Sequence, residues 1–245
     1  MLNSRITRMT RISGVSGVVL AIMMIIAFAL DMAIIQTTAG PPLLNADNIG
    51  SELLRAKGST IWLVEGWLYS LMIVPAFVFM LAVYWALRDD DNGLAGIGLF
   101  ASALFWIFHT LHNVAMLTVI QVLVPRYTAG TSEATTVEVL ATTLLGFANI
   151  LFGFGGSVGG LFLVAFLAAF GLVTLKSSIL PQWTGYVALA GGLTVLLSYL
   201  QFISGAFLFV GLLGWVLTIV WVVGTMLTLL RPTSQMPLVA ETSAA

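Results

Sequence analysis

The chain has 245 residues, 60% hydrophobic and only 8% charged, with a mean hydropathy of +1.07. Soluble domains carry roughly 25% charged residues, so this composition excludes an ordinary water-soluble fold and indicates an integral membrane protein. A net charge of -1, scattered basic residues and no cysteine exclude a nucleic-acid footprint, an acidic substrate, disulfides, thiolate metal ligands, iron-sulfur clusters and a cysteine nucleophile.

A membrane-crossing helix needs about 20 mostly apolar residues, and six stretches qualify: 15–36, 61–87, 94–124, 152–175, 183–203 and 207–230. The first follows Arg5, Arg8 and Arg11 as a signal peptide would, but it exceeds the h-region of such a peptide and is expected to stay as an anchor. The polar stretch 37–60 comes next. Gly40-Pro41-Pro42 breaks the helix there, and Ser51 to Ala56 has the composition for a short helical turn that would cap whatever lies beneath. After the second span, Asp89-Asp90-Asp91-Asn92-Gly93 is a solvated turn that stops one helix before the next. A Mg²⁺ role for these carboxylates is the sharper alternative. The third span is long enough to tilt.

From 137 to 175 the chain is almost continuously apolar, too long for one crossing. Leu140, Leu144, Phe147 and Leu151 recur at helical spacing with Glu138, Thr142 and Asn149 between them, which predicts a half-buried interfacial helix before the fourth span. The glycine-rich run 153–160 marks the bend. Its overlapping GxxxG pairs, Gly155/Gly159 and Gly156/Gly160, suit close helix packing, whereas a phosphate-cradling loop would need a Lys and a Ser or Thr that are missing. The fifth and sixth spans are joined by little more than Ser204-Gly205-Ala206 and must pair tightly. The tail 232–245 is small and polar, with the composition of a disordered cytoplasmic extension. Arg5, Arg8, Arg11, Arg88, Lys176 and Arg231 fall on one side and Arg55, Lys57 and Arg126 on the other, which predicts both termini in the cytoplasm.

The junction of the fourth and fifth spans runs Lys176-Ser177-Ser178-Ile179-Leu180-Pro181-Gln182-Trp183-Thr184-Gly185-Tyr186 and continues as Leu189-Ala190-Gly191-Gly192-Leu193. It resembles the LPxWxG turn and following glycines of bacterial six-helix membrane proteins, among them the domain-of-unknown-function family 4386. Pro181 starts a helix, Trp183 anchors at the headgroup level, and Gly185, Gly191 and Gly192 permit close packing. The resemblance implies an all-α, six-span bundle in a bacterial inner membrane and carries no activity.

Ionisable side chains inside the spans gather at one depth. Counting from the helix ends puts Asp31, Glu65, His109 and His112, from three helices, within about 15 Å of depth in the outer half of the bilayer. His109 and His112 share a helix face with Asn113 and Met116. Tyr69 lies one turn below Glu65, and Asn149 and Gln201 are placed to join this polar cluster. Three chemistries compete for the layer. The first is interhelical packing through hydrogen bonds. The second is a divalent transition-metal site using His109, His112, Glu65 and Asp31, with a single-histidine haem as a remoter variant. The third is a proton-coupled pathway for a small solute.

HxxH without a neighbouring Glu or a third histidine is neither a zincin nor a di-iron motif. A through-pathway would also need polar lining in the inner half, where Ser70, Ser102 and Ser198 read as ordinary packing serines with no base beside them. The expectation is a binding, accessory or structural membrane protein. Its partners would be the lipid bilayer and either a second copy or a membrane subunit, with no nucleic acid, no catalytic residue and no cofactor required by the pattern.

Overall fold

The computed structural model describes residues 2–37, 49–152 and 157–230. Among them there is no strand, and nine α-helices follow one another: α1 (Leu2–Thr37), α2 (Ile49–Ala56), α3 (Thr60–Leu71), α4 (Ile73–Leu87), α5 (Asn92–Thr118), α6 (Ser132–Leu151), α7 (Val158–Thr174), α8 (Gln182–Ser198) and α9 (Ala206–Leu229). The tail 232–245 and the glycines 155 and 156 lie outside the described residues. Six segments are apolar and long enough to cross a membrane: Gly14–Ile34, Thr60–Leu87, Asn92–Arg126, Ser132–Leu151, Gln182–Gln201 and Phe209–Leu229.

The second crossing is divided. Pro75 has no N–H for the Leu71 carbonyl, and the helix breaks at Met72 into α3 and α4. The third does not end at 124 as a plain helix. It continues through a π-turn (Val119–Leu123) and a 3-10 turn (Val124–Arg126), so its 35 residues span about 52 Å, more than any bilayer core requires.

The excess length has a partner. Contacts along α5 run in strict reverse order along α6 and α7. Tyr127, just past the Val124–Arg126 turn, bonds Glu138, and His112 bonds Ala148. Phe108 lies against Gly159, Phe170 against Gly98, and Lys176 pairs with Asp91. Helices α6 and α7 are therefore consecutive parts of one descending pass antiparallel to α5, and together they make one traverse. By length alone α6 meets the criterion and α7, with 17 residues, falls short, yet α7 is the part that reaches the Asp91 end. The chain makes six passes, and both ends of the described bundle lie on the same face. The helix expected from 137 begins five residues earlier, at Ser132, and the pass below it starts at Val158 rather than 152. On the outward side of α6, Glu133, Thr135 and Thr136 occupy the upper turns and Val139, Phe147 and Ile150 the lower ones, as a helix entering an apolar layer would show.

Within the bilayer, α1, α4, α5, α7, α8 and α9 neighbour one another in a closed ring. Glycines let them approach. A Cβ on Gly185 would lie 2.9 Å from the Gly171 carbonyl, and one on Gly17 would meet the Phe79 ring at 2.9 Å. The ring's interior is filled by Phe79, Phe105, Trp106, Phe166, Phe170 and Trp221, all buried. A second core lies above it, where α2, α6 and the outer ends of α1, α3 and α5 bring together Ile34, Leu53, Trp62, Val119, Val137, Ala141 and Leu145. The polar layer occupies the boundary between the two.

Candidate functional site

Asp31 and Glu65 are brought together with Tyr69. The Tyr69 hydroxyl, on α3, donates to Asp31 Oδ2, on α1, at 2.5 Å. Glu65 stands one turn from Tyr69 on the same face of α3, which places its carboxyl on the side of α3 that Asp31 meets. All three side chains are half-buried. The ion pairs among the described residues are Arg55–Glu52, Arg88–Asp89 and Lys176–Asp91, all near the ends of the passes, so no Lys or Arg neutralises this acid pair.

The two histidines have separate surroundings. His112 Nδ1 lies 2.9 Å from the carbonyl oxygen of Ala148. A carbonyl can only accept, so Nδ1 carries the hydrogen and joins α5 to the lower end of α6. His109 is 2% exposed and enclosed by rings. Phe105 stacks on it at 5.8 Å between centroids, Phe152 meets it edge-on at 4.4 Å, Tyr69 at 5.0 Å and Trp106 at 5.6 Å, and Trp215 lies at 6.0 Å. Among the described residues neither ring nitrogen of His109 has a hydrogen-bond partner. Leaving such groups buried and unpaired costs about 1 to 3 kcal/mol each.

Asn113 turns back on its own helix, its Nδ2 donating to the His109 carbonyl at 2.7 Å. Asn149 is half-buried on α6 beside Ala148, and Gln201 belongs to the 3-10 turn Tyr199–Phe202 at the outer end of α8. Gly159 and Gly160 both have close neighbours. A Cβ on Gly159 would lie 2.6 Å from the Leu151 carbonyl, and one on Gly160 would lie 2.5 Å from the Tyr199 hydroxyl, which itself donates to the Ser157 carbonyl. Ser70, Ser102 and Ser198 each donate to a carbonyl of their own helix.

Among the described residues no three His, Asp or Glu side chains converge to hold a metal ion. His112 is engaged by a carbonyl, and His109 is walled by aromatic carbon. The sequence reading missed that wall. Phe105 and Trp106 are apolar residues beside a histidine, and Phe152 and Trp215 come from distant passes, so no spacing announces them. A histidine in the middle of an apolar span is the one signal that marked the place.

In the acidic turn, Asp91 caps α5. Its Oδ1 accepts from the Leu94 N–H at 3.1 Å and its Oδ2 lies 3.2 Å from Lys176 Nζ. The Leu94 hydrogen bond and then Lys176 hold this carboxyl below its ordinary range. These contacts use the carboxylate as a helix stop and an inter-pass link, which leaves Asp91 with a structural role. Comparison with protein families, with characterised proteins and with solved structures finds no match for the chain.

Proposed function

We propose that this membrane protein is a non-enzymatic binding or accessory protein whose polar layer sits in the outer half of a bacterial inner membrane. The observation that carries the reading is the way the layer is bonded. Tyr69 ties α3 to α1 through Asp31, and His112 ties α5 to α6 through a backbone carbonyl, so the polar groups join helices instead of lining a passage. Below them the ring interior is packed with the large rings of Phe79, Phe105, Trp106, Phe166, Phe170 and Trp221. The orientation rests on the excess of Lys and Arg at the Asp91 end, and the bacterial location on the resemblance at the 176–193 junction.

Two measurements test this. Elemental analysis and an absorption spectrum of the purified chain, beside a His109→Ala/His112→Ala variant, should show neither stoichiometric transition metal nor a Soret band. Either one, present in the parent and lost in the variant, would replace this reading with a cofactor site. Because the chain has no cysteine, single cysteines at Gln121 and Asn92 report topology cleanly. A membrane-impermeant thiol reagent applied to intact cells should label the first and spare the second. The reverse pattern would invert the orientation.

A further inference from the structure

We propose that the outer-half layer is a binding site for a protonated amine with an apolar, aromatic-sized body, the ammonium held by Asp31 and Glu65 and the body lying against Tyr69, Phe152, Trp215 and His109. This rests on the preceding reading and names the ligand class of the same layer. Three observations point the same way. Asp31 and Glu65 both gather at Tyr69, Asp31 through its hydrogen bond and Glu65 one helical turn away, half-buried at membrane depth, and no Lys or Arg among the described residues pairs with either. A carboxylate pair in apolar surroundings is a strong receptor for N–H donors carrying positive charge.

His109 is the independent sign. It is 2% exposed with both ring nitrogens unpartnered, in a box whose other walls are aromatic. A neutral imidazole offers one donor and one acceptor, so it can hydrogen-bond an amine or a polar substituent close to it, which the Phe105 and Phe152 rings cannot. The rings make the rest of the match. Tyr69 bridges the two halves, its hydroxyl on Asp31 and its ring edge-on to His109 at 5.0 Å. Tyr69, Phe152 and Trp215 are half-buried, whereas Phe105 and Trp106 are buried, so the first three are the walls that a ligand would reach. Aromatic faces attract a cation near them and accept an apolar body. An inorganic cation fits less well, because among the described residues no three His, Asp or Glu side chains converge to replace its hydration shell.

The test uses the full chain in mild detergent and two probes of similar size and shape, 2-phenylethylammonium chloride and the uncharged 2-phenylethanol, with sodium chloride holding ionic strength constant. Tryptophan emission should be quenched saturably by the ammonium and at least tenfold less effectively by the alcohol. Trp215→Phe should remove most of the signal. Glu65→Gln and His109→Phe should each weaken the response about tenfold while the helical circular dichroism stays as in the parent. Equal titration by ammonium and alcohol would mean partition into apolar surface and would overturn the proposal, whatever the variants do. So would an ammonium response that both variants retain. A metal-free protein indifferent to the amine would overturn the ligand and leave the accessory reading standing. A stoichiometric metal in the parent that is lost with His109 and His112 would overturn both.

Discussion

The inner and outer cores of this protein are made of different material. The inner one interlocks six passes through large rings. Trp221 stacks on Phe170 at 6.1 Å and meets Phe79 and Phe166, and the neighbouring helices supply glycines where backbones must close up. The outer one is built from Ala, Val, Leu and Ile, with Trp62 and Tyr127 at its edges and with acid–tyrosine bonds at Asp31–Tyr69 and Glu138–Tyr127. Solvent explains the difference. In hydrocarbon, apolar burial drives no association between helices, so shape and close contact must do it. Where water returns, apolar area removed from it stabilises directly, and polar tips can be bonded at the margin. The polar layer lies on this boundary because carboxyls and imidazoles are tolerated there and would be costly deeper in.

Perturbing each side in turn sharpens the contrast. Trp221→Ala, at a fully buried side chain, should cause the largest loss, about 3 to 5 kcal/mol, read as a collapse of thermal stability in detergent. Leu145→Ala, in the outer core, should cost about 2 to 5 kcal/mol, but hydrogen exchange should place the damage in α2, α6 and the outer end of α5. Equal deprotection of the inner passes would show that the two cores open as one unit. Gly185→Ala forces a Cβ against the Gly171 carbonyl and should cost about 1 to 3 kcal/mol, with α7 and α8 losing protection together. Tyr69→Phe removes the bond to Asp31 and should cost about 0.6 to 2 kcal/mol, an effect that Asp31→Asn would largely abolish in a double-mutant cycle.

The smallest effect is expected at the inner turn and depends on pH. The folded state lowers the Asp91 carboxyl below its ordinary range, through the Leu94 N–H first and Lys176 second. Its contribution is therefore complete above the ordinary carboxylate range and is lost as pH falls through the lowered value. Acid titration of the melting temperature should show a component in the parent that is missing from Asp91→Ala. A component of the same size in both would assign it to another group.

Much of the architecture was legible because hydropathy is a local property of the chain. Six passes, the turn at Asp89 to Asp91, the helical turn at Ser51 to Ala56 and a separate helix ahead of Val158 follow from composition and spacing, although that helix belongs to the fourth pass and does not lie apart from it. The gathering of Asp31, Glu65 and Tyr69 was also within reach, since depth can be counted from helix ends. Rotation about the helix axis cannot be counted that way once three helices are involved. That is why Asn113 and His112, on the expected face of α5, are committed to backbone carbonyls and not to the acids.

The sequence by itself therefore determined the class of protein, the number of passes and the depth at which polar chemistry is allowed, because each depends on how one segment partitions between water and lipid. Tertiary structure alone decided that α6 and α7 share one pass, that two cores exist in place of one, and that His109 sits in an aromatic box made by α3, α5, α9 and the turn at Phe152. Those outcomes depend on which helix lies beside which, and in an apolar medium that choice is made by shape and by a few hydrogen bonds between residues far apart in the chain.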